Sequence, residues 1–106
     1  MSKQLKLMAD YGCFPLWEYQ DGEPVGNLDP DRLALSAELR SALRAWAAAY
    51  DRTLNPDYPP DSGFSTPAEE EAFEAEGRRL WQELKSQLGA RYKVCYFSSR
   101  EARLLG

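Results

Sequence analysis

The chain has 106 residues, with 17 acidic side chains, 13 basic side chains and no histidine. This length suits a single domain with one hydrophobic core, and the net charge of −4 argues against nucleic acid or an anionic membrane surface as the main partner. Histidine is the most common metal ligand and a frequent general base, so its absence disfavours both kinds of site. Composition therefore favours a binding protein over an enzyme, and we expect neither a cofactor nor a metal ion.

The N-terminal region and the two cysteines bear on where the protein resides. The first ten residues contain two lysines but no apolar stretch as long as that of a signal peptide, and no later stretch is long enough to cross a bilayer. Cys13 and Cys95 are far apart in sequence and show no CxxC spacing, which predicts two reduced thiols rather than a disulfide or a zinc site. We therefore expect a cytoplasmic protein.

Three segments have the residue pattern of β-strands. Residues 4–9 alternate between apolar and polar side chains, which is the period of a half-buried strand. Residues 14–19 are rich in aromatics and lead to an Asp-Gly turn signal, and Pro15, which lacks an amide donor, predicts that this strand is short or lies at an edge. Residues 91–97 alternate again and predict the last strand.

Two amphipathic helices are predicted between the second and third strands. Ser36 is a suitable N-cap for the first helix, whose apolar stripe runs to about Leu54. The sequence Thr66-Pro67-Ala68-Glu69 is a capping box that begins the second helix, and Gly89 ends it. Gly77 costs this helix about 1 kcal/mol relative to alanine, and a close crossing with a neighbouring element would explain it.

The order β-β-α-α-β predicts an α/β protein, a two-layer α/β sandwich in which a sheet of about three strands packs against two amphipathic helices. The first and last strands are expected to pair. Residues 1–98 are predicted to form a single domain, and residues 99–106, which show no strong pattern, a flexible tail. The sheet face away from the helices carries a mixed set that can be solvated or contact a partner: Lys6, Met8, Lys93, Cys95 and Phe97.

No catalytic or nucleotide-binding motif is present in the sequence. Without histidine, Ser/His and Cys/His pairs are impossible, and neither GxxxxGK[ST] nor GxGxxG occurs. A mechanism based on two carboxylates needs no motif and stays open, although the large number of acids makes chance pairs common. We predict no catalytic residues, and a carboxylate-dependent enzyme is the least favoured hypothesis.

The best candidate for function is the segment from Asn55 to Ser65 with the glutamates that follow it, because the stretch from Asp57 to Glu76 holds seven carboxylates and no basic residue. It joins a long proline-rich loop to the start of the second helix, and such loops often carry binding surfaces. An acidic field also accelerates association with a basic partner. The alternative is that the glutamates only stabilise the positive helix end, while Phe64 pins the loop to the core near Phe73.

Trp17 has two possible roles, as a core aromatic or as an exposed anchor if the second strand lies at an edge. Together with the acidic segment it completes the set of predicted partner-binding residues. These are Trp17, Asp57, Tyr58, Asp61, Glu69, Glu70, Glu71 and Glu74.

Five short stretches, distributed up to about residue 97, carry a resemblance to a known family. They are Leu7 to Trp17, Gly26 to Pro30 with Leu35-Ser36, Tyr50 to Asn55, Ser62-Gly63-Phe64, and Glu76 to Leu80. Together they resemble short bacterial cytosolic immunity proteins, the partners of contact-dependent or polymorphic toxins. The resemblance implies an immunity protein that binds a toxin, but it transfers no individual site residue, because immunity surfaces vary with the toxin they block.

These observations predict an immunity protein that neutralises a cognate toxin domain, a basic nuclease or nucleotide-modifying enzyme, through its acidic surface. The alternative is a small regulatory or scaffold domain that binds a housekeeping protein through the loop and the Trp17 edge. The sequence leaves the oligomeric state open.

Overall fold

A five-stranded sheet packs against two α-helices in the computed structural model, which describes residues 3–59 and 62–106. A short 3-10 turn (Pro30–Arg32) precedes the first helix. The elements are β1 (Lys3–Leu7), β2 (Leu16–Gln20), β3 (Glu23–Leu28), α1 (Ala37–Asp51), α2 (Pro67–Leu88), β4 (Lys93–Ser98) and β5 (Arg103–Leu105). The strand order in the sheet is β3-β2-β1-β4-β5.

The central strand β1 is antiparallel to β2 and parallel to β4. Its register places Leu5 opposite Val94 and Leu7 opposite Tyr96, and all four side chains are buried beneath the helices. A parallel pair needs a long crossover connection, which α1 and α2 provide. The α/β class and the predicted pairing of the first and last predicted strands are confirmed.

The helices begin where the capping residues predict. The hydroxyl of Ser36 accepts the amide of the residue three positions on at 3.1 Å, and Thr66 does the same at 3.2 Å. The carboxylate of Glu69 accepts the amide of Ser65 at 3.3 Å, one residue before the usual partner in a capping box. Helix α1 ends at Asp51, and Leu54, predicted near its end, lies in the loop and is exposed. Within the described residues, neither helix is long and apolar enough to cross a membrane.

Gly77 lies at the predicted close crossing. A Cβ atom on Gly77 would lie 2.5 Å from the hydroxyl of Tyr96 and 2.9 Å from the ring of Trp46. Only a residue without a side chain allows α2 to approach both α1 and the sheet at this point. The small residue therefore sets the distance at which the two layers pack.

An aromatic cluster joins the helices to the sheet. Trp46 stacks on Phe73 with ring centroids 4.5 Å apart, and Trp81 stacks on Tyr96 at 5.8 Å. Each buried indole donates its N–H to a main-chain carbonyl, Trp46 to Phe73 at 3.0 Å and Trp81 to Val94 at 3.1 Å. Because the polar edge of each ring is satisfied, these large side chains can be buried without an unpaired donor.

The prediction of about three strands is wrong, because β3 and β5 complete a five-stranded sheet. The Asp-Gly pair forms a tight hairpin turn, with φ of 52° at Asp21 and 84° at Gly22, so that β3 pairs with β2 immediately afterwards. Five of the six β3 residues are exposed, so no apolar alternation marks this strand in the sequence. The second strand is predicted to be short or at an edge, and the edge alternative is wrong because β2 lies between β1 and β3. Pro15 precedes β2, which is five residues long.

The C-terminal residues predicted as a flexible tail contribute β5, which pairs with β4. Ala102 turns the chain with a φ of 53°, and Leu105, opposite Tyr96, packs against the core. The strand is only three residues long, which leaves too few positions for a period to show.

Candidate functional site

The loop between α1 and α2 is fixed at its base. The amide of Gly63 donates to the carbonyl of Thr53 at 3.0 Å, and the amide of Asn55 donates to the hydroxyl of Ser62 at 2.8 Å. These two hydrogen bonds connect the outgoing and returning chains. The loop therefore leaves the helix pair through a narrow neck.

The exposed part of the loop carries two of the predicted partner-binding residues. The side chain of Asn55 accepts the amides of Asp57 at 3.0 Å and of Tyr58 at 3.1 Å, which forms an Asx turn. The side chain of Tyr58 is 63% exposed and that of Leu54 is 40% exposed. Asp61, also predicted here, lies outside the described residues. The ordered turn presents large apolar groups and a carboxylate to solvent.

The first turns of α2 carry three exposed carboxylates. Glu69, Glu70 and Glu71 are all exposed at the helix start. Among the described residues, only Glu70 of these three forms an ion pair, with Arg100 at 4.0 Å. Negative charge at a helix N-terminus is favourable to the fold. Together, Asp57, Tyr58, Glu69, Glu70 and Glu71 are called the acidic surface below.

Glu74 points inward, so it does not belong to the acidic surface. It is 5% exposed, and its carboxylate accepts hydrogen bonds from the hydroxyls of Tyr96 at 3.0 Å and Ser98 at 2.9 Å and from Arg78 at 2.8 Å. Burial and the hydrogen bond to Glu74 raise the pKa of Tyr96 far above its ordinary value. Positions 74, 77 and 81 share one face of α2, which is the sequence signal for this inward orientation.

Trp17 lies on the sheet face away from the helices, so the structure does not bring it together with the acidic surface. Leu16 is buried toward the helices, and the alternation of a strand turns Trp17 to the opposite face, where it is half-buried beside Lys6. Its indole N–H donates to the carbonyl of Met8 at 3.0 Å. On the same face, the ammonium of Lys6 donates to the hydroxyl of Tyr19 at 2.8 Å.

A groove of about 590 Å³ lies between α1 and α2, beside the neck of the loop. Its walls include the small side chains of Ala45 and Ala72, and the stacked pair of Trp46 and Phe73 lies beneath them. Phe64 closes one end, with its ring 5.0 Å from that of Phe73. This contact confirms that Phe64 pins the loop to the core. We call this feature the interhelical groove.

The charged residues around the interhelical groove are distributed unevenly. Glu69 and Glu76 lie on the α2 side, and Arg52 lies at the end of α1. Arg79 donates two hydrogen bonds to Glu76, at 2.7 and 2.8 Å, and this contact lowers the pKa of the Glu76 carboxyl. The groove was not predicted from the sequence. Its signal in the sequence is the spacing of Ala42, Ala45 and Ala49, three small residues on one face of α1 that line the groove.

The chain matches a family model described as Serratia CdiI immunity protein-like over residues 3–99. No curated protein matches it in sequence. A match of this extent identifies the general class, that of immunity proteins, whose function is toxin neutralisation. The chain belongs to the Serratia CdiI immunity protein-like family. The resemblance drawn from the sequence is thereby confirmed at the level of the family.

Proposed function

We propose that this protein neutralises a cognate toxin domain by binding it in the cytoplasm through the acidic surface, and that the toxin is a basic nuclease or nucleotide-modifying enzyme. The observation that carries the proposal is the stretch from Asp57 to Glu76, which has no basic residue, in a protein of the immunity class. Apart from the inward-facing Glu74 and the Arg79-paired Glu76, its described carboxylates are exposed. Glu69, Glu70 and Glu71 are all exposed at its helical end.

Charge complementarity explains how such a surface inhibits. A site that binds nucleic acid or nucleotide phosphates is rich in lysine and arginine. The acidic surface competes for the same cations, and long-range attraction raises the rate of encounter above that of a neutral pair. The protein acts by occupying the toxin and performs no reaction of its own.

The loop supplies the apolar contacts that charge alone does not provide. Tyr58 and Leu54 are both large and exposed, and tyrosine is frequent among residues that dominate binding energy. Since the Asx turn and the hydrogen-bonded neck already order the backbone around them, little further ordering is needed on binding.

The first test is affinity capture of the tagged protein from its native lysate, followed by mass spectrometry. We expect one basic toxin domain at equal stoichiometry. Recovery of a housekeeping protein instead would support the regulatory alternative.

The second test uses the captured toxin domain and measures association rates by surface plasmon resonance. The double variant Glu70→Lys/Glu71→Lys is expected to slow association about tenfold at low salt, with a smaller effect at high salt because ions screen exposed charges. The matched control, Glu38→Lys/Glu83→Lys, makes the same charge change at exposed positions near the other end of the helix pair. Equal association rates for both variants would remove the acidic surface from the proposal.

A further inference from the structure

We infer that the interhelical groove is a socket for one apolar side chain, which the toxin carries next to a lysine or arginine on a protruding segment. The inference rests on the proposed function and adds what the partner must present. The groove and the acidic surface share Glu69, so a single segment can contact both.

The groove has the size and rigidity of a binding site. Its volume of about 590 Å³ lies within the range of about 300 to 1,000 Å³ that is typical of sites for small ligands. The alanine walls leave the space open, while the buried stack of Trp46 on Phe73 prevents the helices from closing over it. A preformed apolar space of this kind can bind an apolar side chain without the entropic cost of ordering flexible side chains of its own.

The surrounding charges decide what accompanies the apolar side chain. On the α2 side Glu69 lines the groove, and Glu70 and Glu71 line the neighbouring depression at the helix start, so the negative charge of this end favours a cation on the segment that enters. Arg79 pairs with Glu76, and Arg100 lies 4.0 Å from Glu70. On the other side Arg52 favours a carboxylate or a carbonyl oxygen. This asymmetry gives the bound segment one preferred direction across the groove.

The same charges disfavour a second copy of this chain as the occupant. The protein has a net charge of −4, and apposing two copies of this region would bring its carboxylates together. Self-association is therefore an outcome to be tested and not the expected one.

A peptide titration of the full-length protein, followed by ¹⁵N NMR, tests the socket without the toxin. The probes are three capped pentapeptides: Lys-Lys-Phe-Lys-Lys, the same peptide with alanine in place of phenylalanine, and Glu-Glu-Phe-Glu-Glu. We expect the first to shift the indole signal of Trp46 with a dissociation constant on the order of millimolar, as befits one buried side chain. The signals of Trp17 and Trp81 serve as internal references, because neither residue lines the groove.

Filling the groove identifies the site of binding. Ala45→Leu and Ala72→Leu place a larger side chain in it at exposed positions, whereas Ala48→Leu makes the same change at an exposed position of α1 outside the lining. We expect at least tenfold weaker binding of the phenylalanine peptide to the first two variants and no change for the third. The socket is wrong if all three variants bind the phenylalanine peptide equally well. It is also wrong if the unmodified protein binds the alanine peptide as tightly as the phenylalanine peptide.

Binding kinetics with the captured toxin domain distinguish a failure of the socket from a failure of the proposed function. Ala45→Leu is expected to raise the dissociation rate at least tenfold and to leave the association rate unchanged, because short-range packing acts after encounter. If this variant dissociates normally while Glu70→Lys/Glu71→Lys still slows association, the socket is wrong and the acidic surface stands. If the protein sediments as a dimer that Ala45→Leu converts to a monomer, a second copy occupies the groove and the socket is again wrong.

Discussion

Replacing Glu74 with leucine removes the acceptor that ties α2 to the sheet. The carboxylate of Glu74 accepts hydrogen bonds from the hydroxyls of Tyr96 and Ser98, and both residues are fully buried. Leucine has a similar size but offers no acceptor. Arg78 loses this partner too, but it keeps its ion pair with Glu101 and its side chain is half-exposed, so we assign the effect to the two hydroxyls.

The expected loss of stability is about 3 kcal/mol. A buried polar group left without a partner costs about 1 to 3 kcal/mol, and two hydroxyls are affected, although the added apolar burial of leucine offsets part of the cost. Since unfolding of a protein of this length has an entropy of about 0.2 kcal/mol per kelvin, the melting temperature should fall by roughly 13 °C. Glu74→Gln keeps one acceptor oxygen and should lose about half as much.

Urea titration and thermal melting followed by circular dichroism measure this loss. The matched control is Glu71→Leu, the same change at an exposed position of the same helix, which should shift stability by about 0.5 kcal/mol or less. If Glu74→Leu and Glu71→Leu unfold at the same urea concentration, the buried hydrogen bonds do not contribute to stability and our account of Glu74 is refuted.

Two further predictions concern the same junction of α2 and β4. Gly77→Ala should destabilise the protein by up to about 2 kcal/mol in urea titration, because overpacking against Tyr96 and Trp46 costs about 1 to 3 kcal/mol and the gain in helix propensity returns about 1 kcal/mol. Ser86→Ala on the exposed face should be neutral or slightly stabilising, and a more stable Gly77→Ala variant would contradict the close crossing. Stability should also fall as the pH rises above the ordinary tyrosine pKa of 10.0, because the pKa of Tyr96 is raised in the folded state and the unfolded chain therefore loses this proton first. Tyr96→Phe should flatten this decline relative to Tyr19→Phe, and parallel pH profiles of stability for the two variants would count against the prediction.

The helices could be predicted from the sequence because local signals define them. Ser36 and Thr66 each cap the helix that follows, through a hydrogen bond to an amide three residues away. The apolar stripes depend on spacing within one helix, and Gly77 stands out inside such a stripe. These signals need no knowledge of the rest of the chain.

The two missed strands show where such signals end. The exposed strand β3 is held by its pairing with β2 after the turn at Asp21 and Gly22, and β5 is held by its pairing with β4. Pairing of this kind depends on which strand edges are available, which is a property of the assembled sheet. The edge position, one of the two alternatives for β2, was wrong for the same reason.

The candidate site was predicted only in its charge. Counting side chains was enough to find the acidic stretch from Asp57 to Glu76. The charge count did not distinguish Glu74, which faces the sheet, from Glu70 and Glu71, which face solvent. It also gave no indication that Trp17 lies on a different surface. Orientation about the helix axis decides the first and strand alternation decides the second.

By itself, the sequence determined the α/β class, the starts of both helices, the pairing of β1 with β4, and the acidic character of the loop that joins the helices. These properties follow from spacing, capping and charge, which act between residues close together in the chain. Only the tertiary structure decided the five-stranded sheet, the inward turn of Glu74 and the interhelical groove. Each of these brings together segments that are distant in sequence, and the physical reason is that burial and strand pairing are defined only once those segments meet.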